Sequence, residues 1–111
     1  MNYNLHITKK AEDDLNGAAD HIEFILLNPE AADDLLDEAE KVLGELIYMP
    51  EKHALVDDPV LNAWGIRFVM VKKYLAFFVI DDTTETVYIV RILHEKRNWI
   101  NILKNEPLSV D

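Results

Sequence analysis

Apolar and polar residues alternate over the first positions of the chain. In the segment YNLHIT, residues 3–8, Tyr3, Leu5 and Ile7 fall on one side, which is typical of a short strand with one buried face. The segment ends on Thr8, a residue type that commonly caps helices because its hydroxyl accepts a backbone N–H. The pattern therefore predicts a short strand followed directly by a helix.

Two stripes of apolar residues follow at steps of three and four, and each is typical of one face of an α-helix. Asn28 and Pro29 separate the stripes, since proline fits a first helical turn but disfavours helical geometry in the residue before it. Pro50 closes the second stripe. Two helices joined by so short a break are predicted to pack as an antiparallel hairpin, with both stripes facing a common core. The first stripe consists of Ala11, Leu15, Ala18, Ile22 and Ile25, and the second of Ala32, Leu35, Ala39, Val42 and Leu46.

Three runs rich in β-branched and aromatic residues occupy the second half of the chain. They are WGIRFVMV (64–71), YLAFFVID (74–81) and TVYIVRIL (86–93), and only two to four residues separate them. Separators this short predict an antiparallel meander. Residues 51–63, which precede the first run, contain an Asp-Asp-Pro sequence and are predicted to form an irregular connection.

The three runs are apolar on both faces, so the sheet is expected to be covered on both sides. The helical hairpin is predicted to cover one face and the segment EKRNWINILKN the other, because Trp99, Ile102 and Leu103 have helical spacing. A chain of 111 residues that is 50% hydrophobic is large enough for one domain with a real core. We therefore expect a single α+β domain with an N-terminal strand, an antiparallel helical hairpin, a three-strand antiparallel meander and a short C-terminal helix.

Charge is distributed unevenly along the chain. The net charge is −10, and residues 9–51 hold 13 acidic and 3 basic residues, whereas residues 52–111 hold 8 of each. Acidic surfaces are repelled by phosphate backbones, so any nucleic-acid contact is expected to come from local basic clusters in the second half. The chain has no cysteine and no apolar run of signal-peptide or membrane-spanning length, which predicts a cytoplasmic protein without disulfides.

Arg67 and Arg91 interrupt the apolar pattern of the predicted strands. A guanidinium stays charged, so an arginine among apolar neighbours needs a partner. One interpretation is that each arginine pairs with an acid of its own chain. The other is that both project from one face of the sheet, towards the mouth of a groove, where they would bind a target.

His94, Lys96 and Arg97 come directly after the last predicted strand. These residue types bind anions, and histidine transfers protons at neutral pH. The alternative is a solvated corner between a strand and a helix. Trp99 is predicted to anchor the final helix. The four histidines lack a ligand spacing such as i, i+4, so no metal site is expected, and nothing in the chain predicts a cofactor.

The order of these elements and the sequences of several segments resemble those of the RelE/ParE superfamily of bacterial toxins, also called plasmid stabilisation proteins. The segments are YNLHITKKAEDDL, NPEAADDL, MPEKH, GIRFVMVKKYLAFFVID and VYIVRILHEKRNW, which together span roughly residues 3–99. The last is the most specific. It resembles a ParE-type closing strand, with an apolar run, an arginine, two apolar residues, a histidine and a basic doublet. The resemblance implies a RelE/ParE-like fold for the whole chain.

The superfamily has two kinds of activity. RelE-type members cut messenger RNA on the ribosome, whereas ParE-type members inhibit DNA gyrase without being enzymes. Leu75 stands where the RelE pattern has arginine, and Ile102 where a C-terminal tyrosine is expected. The resemblance therefore favours a ParE-like toxin that is not an enzyme; as a ribonuclease, the chain would use His94, Arg97 and Arg67 for catalysis. The basic residues that match the ParE-like pattern, and that would bind the target, are Arg67, Arg91, His94, Lys96 and Arg97.

The resemblance also implies a partner, namely a cognate antitoxin whose C-terminal segment wraps the helical hairpin and the sheet. Exposed sheet edges and apolar grooves suit strand addition or a docked amphipathic helix. The acidic hairpin would favour an antitoxin segment unusually rich in lysine and arginine. Three hypotheses follow: a gyrase inhibitor held inactive by its antitoxin, a ribosome-dependent endoribonuclease acting on messenger RNA, and a non-toxic member that only binds its antitoxin. The net charge of −10 departs from the neutral or basic charge usual for such toxins.

Overall fold

A computed structural model describes residues 2–106 and 108 of the chain. Four strands form one sheet in the order β1-β4-β3-β2, in which β1 runs parallel to β4 and the other neighbours are antiparallel. The predicted α+β architecture and the three-strand meander are confirmed. The elements are β1 (Asn4–Ile7), α1 (Lys9–Asp20), a π-helical turn (His21–Ile25), α2 (Pro29–Gly44), 3₁₀ turns (Glu45–Ile47 and Pro50–Lys52), α3 (Pro59–Ala63), β2 (Arg67–Val71), β3 (Tyr74–Asp81), β4 (Thr86–His94) and α4 (Trp99–Asn105).

Helices α1 and α2 form the predicted hairpin and cover one face of the sheet. The Thr8 hydroxyl accepts the backbone N–H of Ala11 at 3.2 Å and caps α1, and the Asn28 side chain caps α2 in the same way. The apolar stripes of both helices pack on the sheet residues of this face. The buried members of this core are Ala11, Leu35, Ala39, Leu43, Leu46, Val71, Ala76, Phe78, Val87, Ile89 and Ile92.

The end of the first helix differs from the prediction. The apolar stripe was expected to continue through Ile25, but that side chain is 68% exposed. From His21 the helix widens into a π turn, in which the N–H of Leu26 bonds to the carbonyl of His21 five residues back. The extra residue in this turn rotates the following side chains off the buried face. Regular helical spacing therefore fails in the last turn.

The second face of the sheet is covered by α4 and by the connection before β2, as expected for α4. Leu103 is fully buried there, and Trp99 packs on Phe77 with ring centroids 5.3 Å apart, so its predicted role as the anchor of α4 is confirmed. Val56 and Leu61 from the connection join the same core. Within residues 2–106, no helix is long and apolar enough to cross a lipid bilayer.

The connection over residues 51–63 is more ordered than predicted. It contains the short helix α3, whose first turn is capped by the Asp58 carboxylate bonding to the N–H groups of Val60 and Leu61. Because α3 has only five residues, it shows no apolar period that a sequence pattern could reveal. Strand β2 begins at Arg67 and not at residue 64, since α3 runs to Ala63 and a turn follows it.

Candidate functional site

The residues after β4 form a corner that is bonded to the β2–β3 turn. The N–H of Arg97 bonds to the carbonyl of His94 at 3.0 Å, and the N–H of Glu95 bonds to the carbonyl of Lys73 at 2.9 Å. In the register of the sheet, Tyr74 is the direct partner of His94. The two basic doublets of the second half, Lys72-Lys73 and Lys96-Arg97, therefore lie at the same end of the sheet.

We call this group the basic corner: Lys72, Lys73, His94, Lys96 and Arg97. In the described part of the chain, its lysines and its arginine form no ion pair, and all four are exposed. Cations that form no ion pair with the described residues can attract acidic or phosphate groups, even on a protein with a net charge of −10. Lys72 and Lys73 were not predicted as site residues, because in the sequence they only separate two predicted strands. The predicted antiparallel meander places the start of β3 beside the end of β4. It therefore could have indicated that Lys72 and Lys73 lie close to His94.

His94 is held in a defined orientation. Its Nδ1 accepts the backbone N–H of Lys96 at 3.1 Å, so the neutral ring carries its proton on Nε2. The ring meets Tyr74 edge to face, with centroids 5.1 Å apart. Burial raises the pKa of the Tyr74 hydroxyl. The corner thus presents an imidazole N–H and a neutral phenol beside its four cations.

Two adjoining cavities separate the basic corner from the end of the helical hairpin, and His21, Tyr74 and His94 line both. The larger, of about 530 Å³, has an apolar floor from the hairpin and a basic wall from the β2–β3 turn. The smaller, of about 480 Å³, lies between α1 and Arg97. The larger is lined by His21, Ile22, Leu26, Ala31, Asp34, Leu35, Lys72, Lys73, Tyr74 and His94. We call it the hairpin groove.

Arg91 lies inside the protein, with 4% of its surface exposed. Its Nε and Nη2 donate to the two carboxylate oxygens of Asp14 at 2.7 and 3.1 Å, and its Nη1 donates to Glu106 at 3.3 Å. Burial opposes the charge of the guanidinium, but the hydrogen bonds and charges of Asp14 and Glu106 outweigh it and raise the pKa of Arg91. The interpretation of Arg91 as an arginine paired within its own chain is therefore confirmed, and its guanidinium is not free to bind a target in this structure.

A shift in strand register accompanies this pairing. Phe78 is opposite Ile89 and Phe77 is opposite Arg91, so Val90 has no partner on β3. The shift falls just beyond the last residue of β1, at Ile7, which is paired with Ile89. From there the edge of β4 is open, and the Asp14 carboxylate accepts the N–H of Ile92 at 3.0 Å in place of a strand. The Asp14 carboxylate thus accepts hydrogen bonds both from the Arg91 guanidinium and from the open edge of β4.

Arg67 is also bound within the protein, but to backbone and not to an acid. Its Nη1 donates to the carbonyl oxygens of Glu51, at 3.0 Å, and of His53. This joins the 3₁₀ turn at Pro50–Lys52 to the start of β2. The expectation that Arg67 pairs with an acid is wrong within the described residues, because loop carbonyls supply the acceptors instead.

The alternative prediction, in which Arg67 and Arg91 project from one face of the sheet, is wrong. Arg67 is registered with Phe78 and Arg91 with Phe77, and these successive residues belong to the cores on opposite faces. The predicted site residues therefore fall into two groups that lie apart in the structure. His94, Lys96 and Arg97 come together at the basic corner, whereas Arg67 and Arg91 lie in separate intramolecular contacts.

The residues that stand in place of the RelE-pattern arginine and tyrosine are part of the second core. Leu75 is buried, and Ile102 is half-buried against the same cluster. Neither side chain can donate a proton or stabilise charge. In the described residues, no group of three or more histidine, aspartate or glutamate side chains is placed to hold a metal ion.

Comparison with known proteins agrees with this architecture. The protein-family model for the ParE toxin of type II toxin–antitoxin systems matches residues 5–99 of the chain. A chain of the chromosomal ParDE toxin–antitoxin system from P. aeruginosa superposes with a TM-score of 0.67 at 23% identity, over 83% of this chain and 95% of that one. A chain of the RelBE2 toxin–antitoxin complex from Mycobacterium tuberculosis superposes with a TM-score of 0.57 at 22% identity, over 85% of this chain and 99% of that one.

No curated protein sequence matches the chain significantly. The two solved structures share its fold at low identity, and the family match covers most of its length. That match includes β1, the helical hairpin, the meander and the basic corner. The chain therefore belongs to the ParE toxin family of type II toxin–antitoxin systems.

Proposed function

We propose that this chain is a cytoplasmic toxin that inhibits DNA gyrase by protein–protein contact and is neutralised by a cognate antitoxin. The observation that carries the proposal is the basic corner, where four exposed cations that form no ion pair with the described residues lie near an oriented histidine. Such a cluster suits an acidic patch on a protein partner, since complementary charge accelerates encounter and fixes orientation. Membership of the ParE family agrees with a topoisomerase as that partner.

The charges elsewhere in the chain argue against nucleic acid as the main ligand. A phosphate backbone is held by many lysine and arginine contacts, and the net charge of −10 opposes each of them. Arg91 is buried against two carboxylates, which leaves its guanidinium unavailable, and the Nη1 of Arg67 is engaged by loop carbonyls. A protein surface that meets only the corner avoids the acidic remainder of the molecule.

An antitoxin is the second partner in this proposal. The hairpin segment from residue 11 to residue 40 contains eleven acidic residues and no lysine or arginine. An antitoxin segment that packs along α1 and α2 would place apolar side chains towards the hairpin groove and basic side chains towards these acids. Both similar structures are of toxin–antitoxin systems, which supports such a partner for this chain.

A ribosome-dependent endoribonuclease is the second candidate function, and one observation favours it. His94 and Arg97 line the same cavity beside α1, with Tyr74 between them and the hairpin. An imidazole can transfer protons, and a guanidinium can stabilise charge on a phosphate that is being cleaved. This arrangement would act on messenger RNA held by the ribosome, because the net charge of −10 opposes the binding of free RNA.

Parallel assays on the purified protein separate these functions. The protein should block ATP-dependent supercoiling by gyrase, an equimolar amount of the antitoxin encoded beside it should restore supercoiling, and ribosome-bound message should stay intact. New cleavages in the message, lost in His94→Ala, would replace the proposal with the ribonuclease. If excess protein leaves gyrase unimpaired but still binds the antitoxin, the chain would be a non-toxic family member that only binds its antitoxin.

A further inference from the structure

A valine and a tryptophan are exposed together on the side of the sheet that α4 covers. Val60 and Trp64 are 42% and 49% exposed. They are four residues apart on α3 and its C-terminal cap, so they lie on the same side of this short helix. Neighbouring exposed apolar side chains mark contact sites, and tryptophan is enriched among the residues that carry most of the binding energy in protein interfaces.

The chain after α3 holds the backbone of Trp64 in a fixed position. The N–H of Gly65 bonds to the carbonyl of Asn62 at 2.9 Å, and the N–H of Ile66 bonds to the carbonyl of Leu61 at 3.2 Å. These two bonds form a Schellman motif, and Gly65 has the positive φ, 77°, that this motif requires. Ile66 and Leu61 are both buried in the second core. Trp64 is therefore presented to solvent on a rigid backbone, so little ordering is needed when it binds.

An open cavity of about 530 Å³ lies beside Trp64. Its lining is mainly apolar and includes Ile66, Val79, Leu103 and Leu108. A cavity of this size accepts an aromatic side chain. We call Val60, Trp64 and this cavity the tryptophan face. A projecting aromatic ring and a recess therefore lie side by side on one surface.

The charged side chains that line the described cavity, Lys104 and Glu106, are already paired within the chain. Nζ of Lys104 lies 3.0 Å from Oδ1 of Asp58, and the Glu106 carboxylate accepts a hydrogen bond from Arg91 at 3.3 Å. Paired charges offer little attraction to a phosphate backbone or to a strongly charged peptide. The tryptophan face therefore suits a partner surface that is apolar and has little net charge.

A second copy of this chain meets these conditions. A two-fold interface brings the same surface of two molecules together, so each projection must fit a recess of that same surface. The eleven acidic residues between residues 11 and 40 belong to the hairpin, on the other face of the sheet. Packed layers are about 10 Å apart, so several layers would separate the two hairpins, which exceeds the Debye length of about 8 Å at physiological ionic strength. The net charge of −10 thus opposes this arrangement only weakly.

We propose that the tryptophan face joins two copies of this chain in a two-fold dimer, in which the indole of each Trp64 enters the cavity of the other copy. Val79, at the cavity, is five residues along β3 from Tyr74, at the basic corner, which corresponds to about 17 Å in a strand. Both basic corners and both hairpin grooves therefore stay exposed in the dimer. The inference does not depend on gyrase as the target or on toxicity.

Sedimentation velocity of the full chain, without an antitoxin, tests the inference. Between about 5 and about 500 µM, the mean mass should rise from that of a monomer towards that of a dimer. A rise in salt from about 0.1 to about 1 M should strengthen the dimer, because salt screens the repulsion between two acidic molecules. A monomer at every concentration would overturn the proposal. A dimer that salt weakens would also overturn it, since that result indicates a contact between the basic corner and the acidic hairpin.

Two variants alter the two halves of the contact. Trp64→Ser removes the projection, and Asn105→Arg obstructs the recess, since Asn105 is exposed and lines the cavity. Each should raise the dissociation constant of the dimer at least about tenfold. Tyr48→Ser is the matched control, because it removes a 54% exposed aromatic side chain that does not line the cavity, and it should change the constant by less than about twofold. Unaltered dimerisation in the two folded variants, or an equal loss in the control, would overturn the proposal.

Discussion

Asp14 on α1 and Arg91 on β4 form a two-point ion pair, with Nε–Oδ2 and Nη2–Oδ1 distances of 2.7 and 3.1 Å. Oδ2 of Asp14 also accepts the N–H of Ile92, so one carboxylate holds both the arginine and the open edge of the strand. Glu106, just after α4, completes the arginine's contacts. The arginine that interrupts the last strand thus joins the helical hairpin, the sheet and the C-terminal helix.

Substitution of Asp14 should be strongly destabilising. Asp14→Asn leaves the buried guanidinium with only a half-exposed carboxylate, and a buried charge that loses its partner lowers the free energy of unfolding by about 3–5 kcal/mol. Urea unfolding at neutral pH measures this loss. Glu106→Gln is the matched control and should lose less than about 1 kcal/mol, since its side chain is 48% exposed. Similar losses in the two variants would contradict the assignment of Asp14 as the main partner.

Removal of both charges should be less harmful than removal of one. In Asp14→Leu/Arg91→Met no buried charge remains unpaired, since Glu106 is half-exposed, so the free energy of unfolding should exceed that of Asp14→Leu alone. The Ile92 N–H still loses its acceptor, so full recovery is not expected. The double variant should keep the capacity to inhibit gyrase if Arg91 is structural. Loss of inhibition in a folded double variant would assign Arg91 to the target-binding surface.

The second core should depend on α4. Leu103→Ala removes a fully buried side chain between α4 and the sheet, which should lower the free energy of unfolding by about 2–5 kcal/mol. Hydrogen exchange should also rise in α4 before it rises in the helical hairpin, because the hairpin packs on the other face. Met70→Ala, at an exposed position of β2, should change stability by less than about 0.5 kcal/mol. Unaltered hydrogen exchange of α4 in Leu103→Ala would show that Leu103 does not anchor this helix.

His53 should make stability depend on pH. Burial, assisted by the charges of Lys52 and Arg67, lowers the pKa of His53 below its ordinary value of 6.5. The unfolded chain then binds a proton at a higher pH than the folded chain, so stability falls as the pH drops below about 6.5 and levels off beneath the folded pKa. His53→Gln should lose less stability between about pH 7.5 and about pH 5 than the parent protein. An equal loss in both would assign the pH dependence to other groups.

Much of the fold follows from residue periodicity. The hairpin stripes up to Ile22, the cap at Thr8, the start of the second helix at Pro29 and the bounds of β3 agree with the structure because each depends on local chemistry. The failures come from local geometry that breaks a regular period. The π turn exposes Ile25, and the five-residue helix α3 is too short to show a pattern.

The candidate site could be predicted only in part. His94, Lys96 and Arg97 are neighbours in sequence, so their proximity follows from the chain itself. The partners of Arg91 are 77 and 15 residues away, and no sequence pattern indicates which acids they are. The contribution of Lys72 and Lys73 depends on the register between β3 and β4, which pairs Tyr74 with His94.

Gyrase inhibition by variants of the basic corner is the most direct test of whether this corner binds the target. The corner variant Lys72→Gln/Lys73→Gln/Lys96→Gln/Arg97→Gln removes four exposed charges from the site, and Lys9→Gln/Lys10→Gln/Lys41→Gln/Lys52→Gln removes four from elsewhere on the surface. The concentration of protein needed to halve supercoiling should rise at least about tenfold for the corner variant and stay within about twofold for the control. Equal inhibition by the two folded variants would contradict binding of the target by this corner.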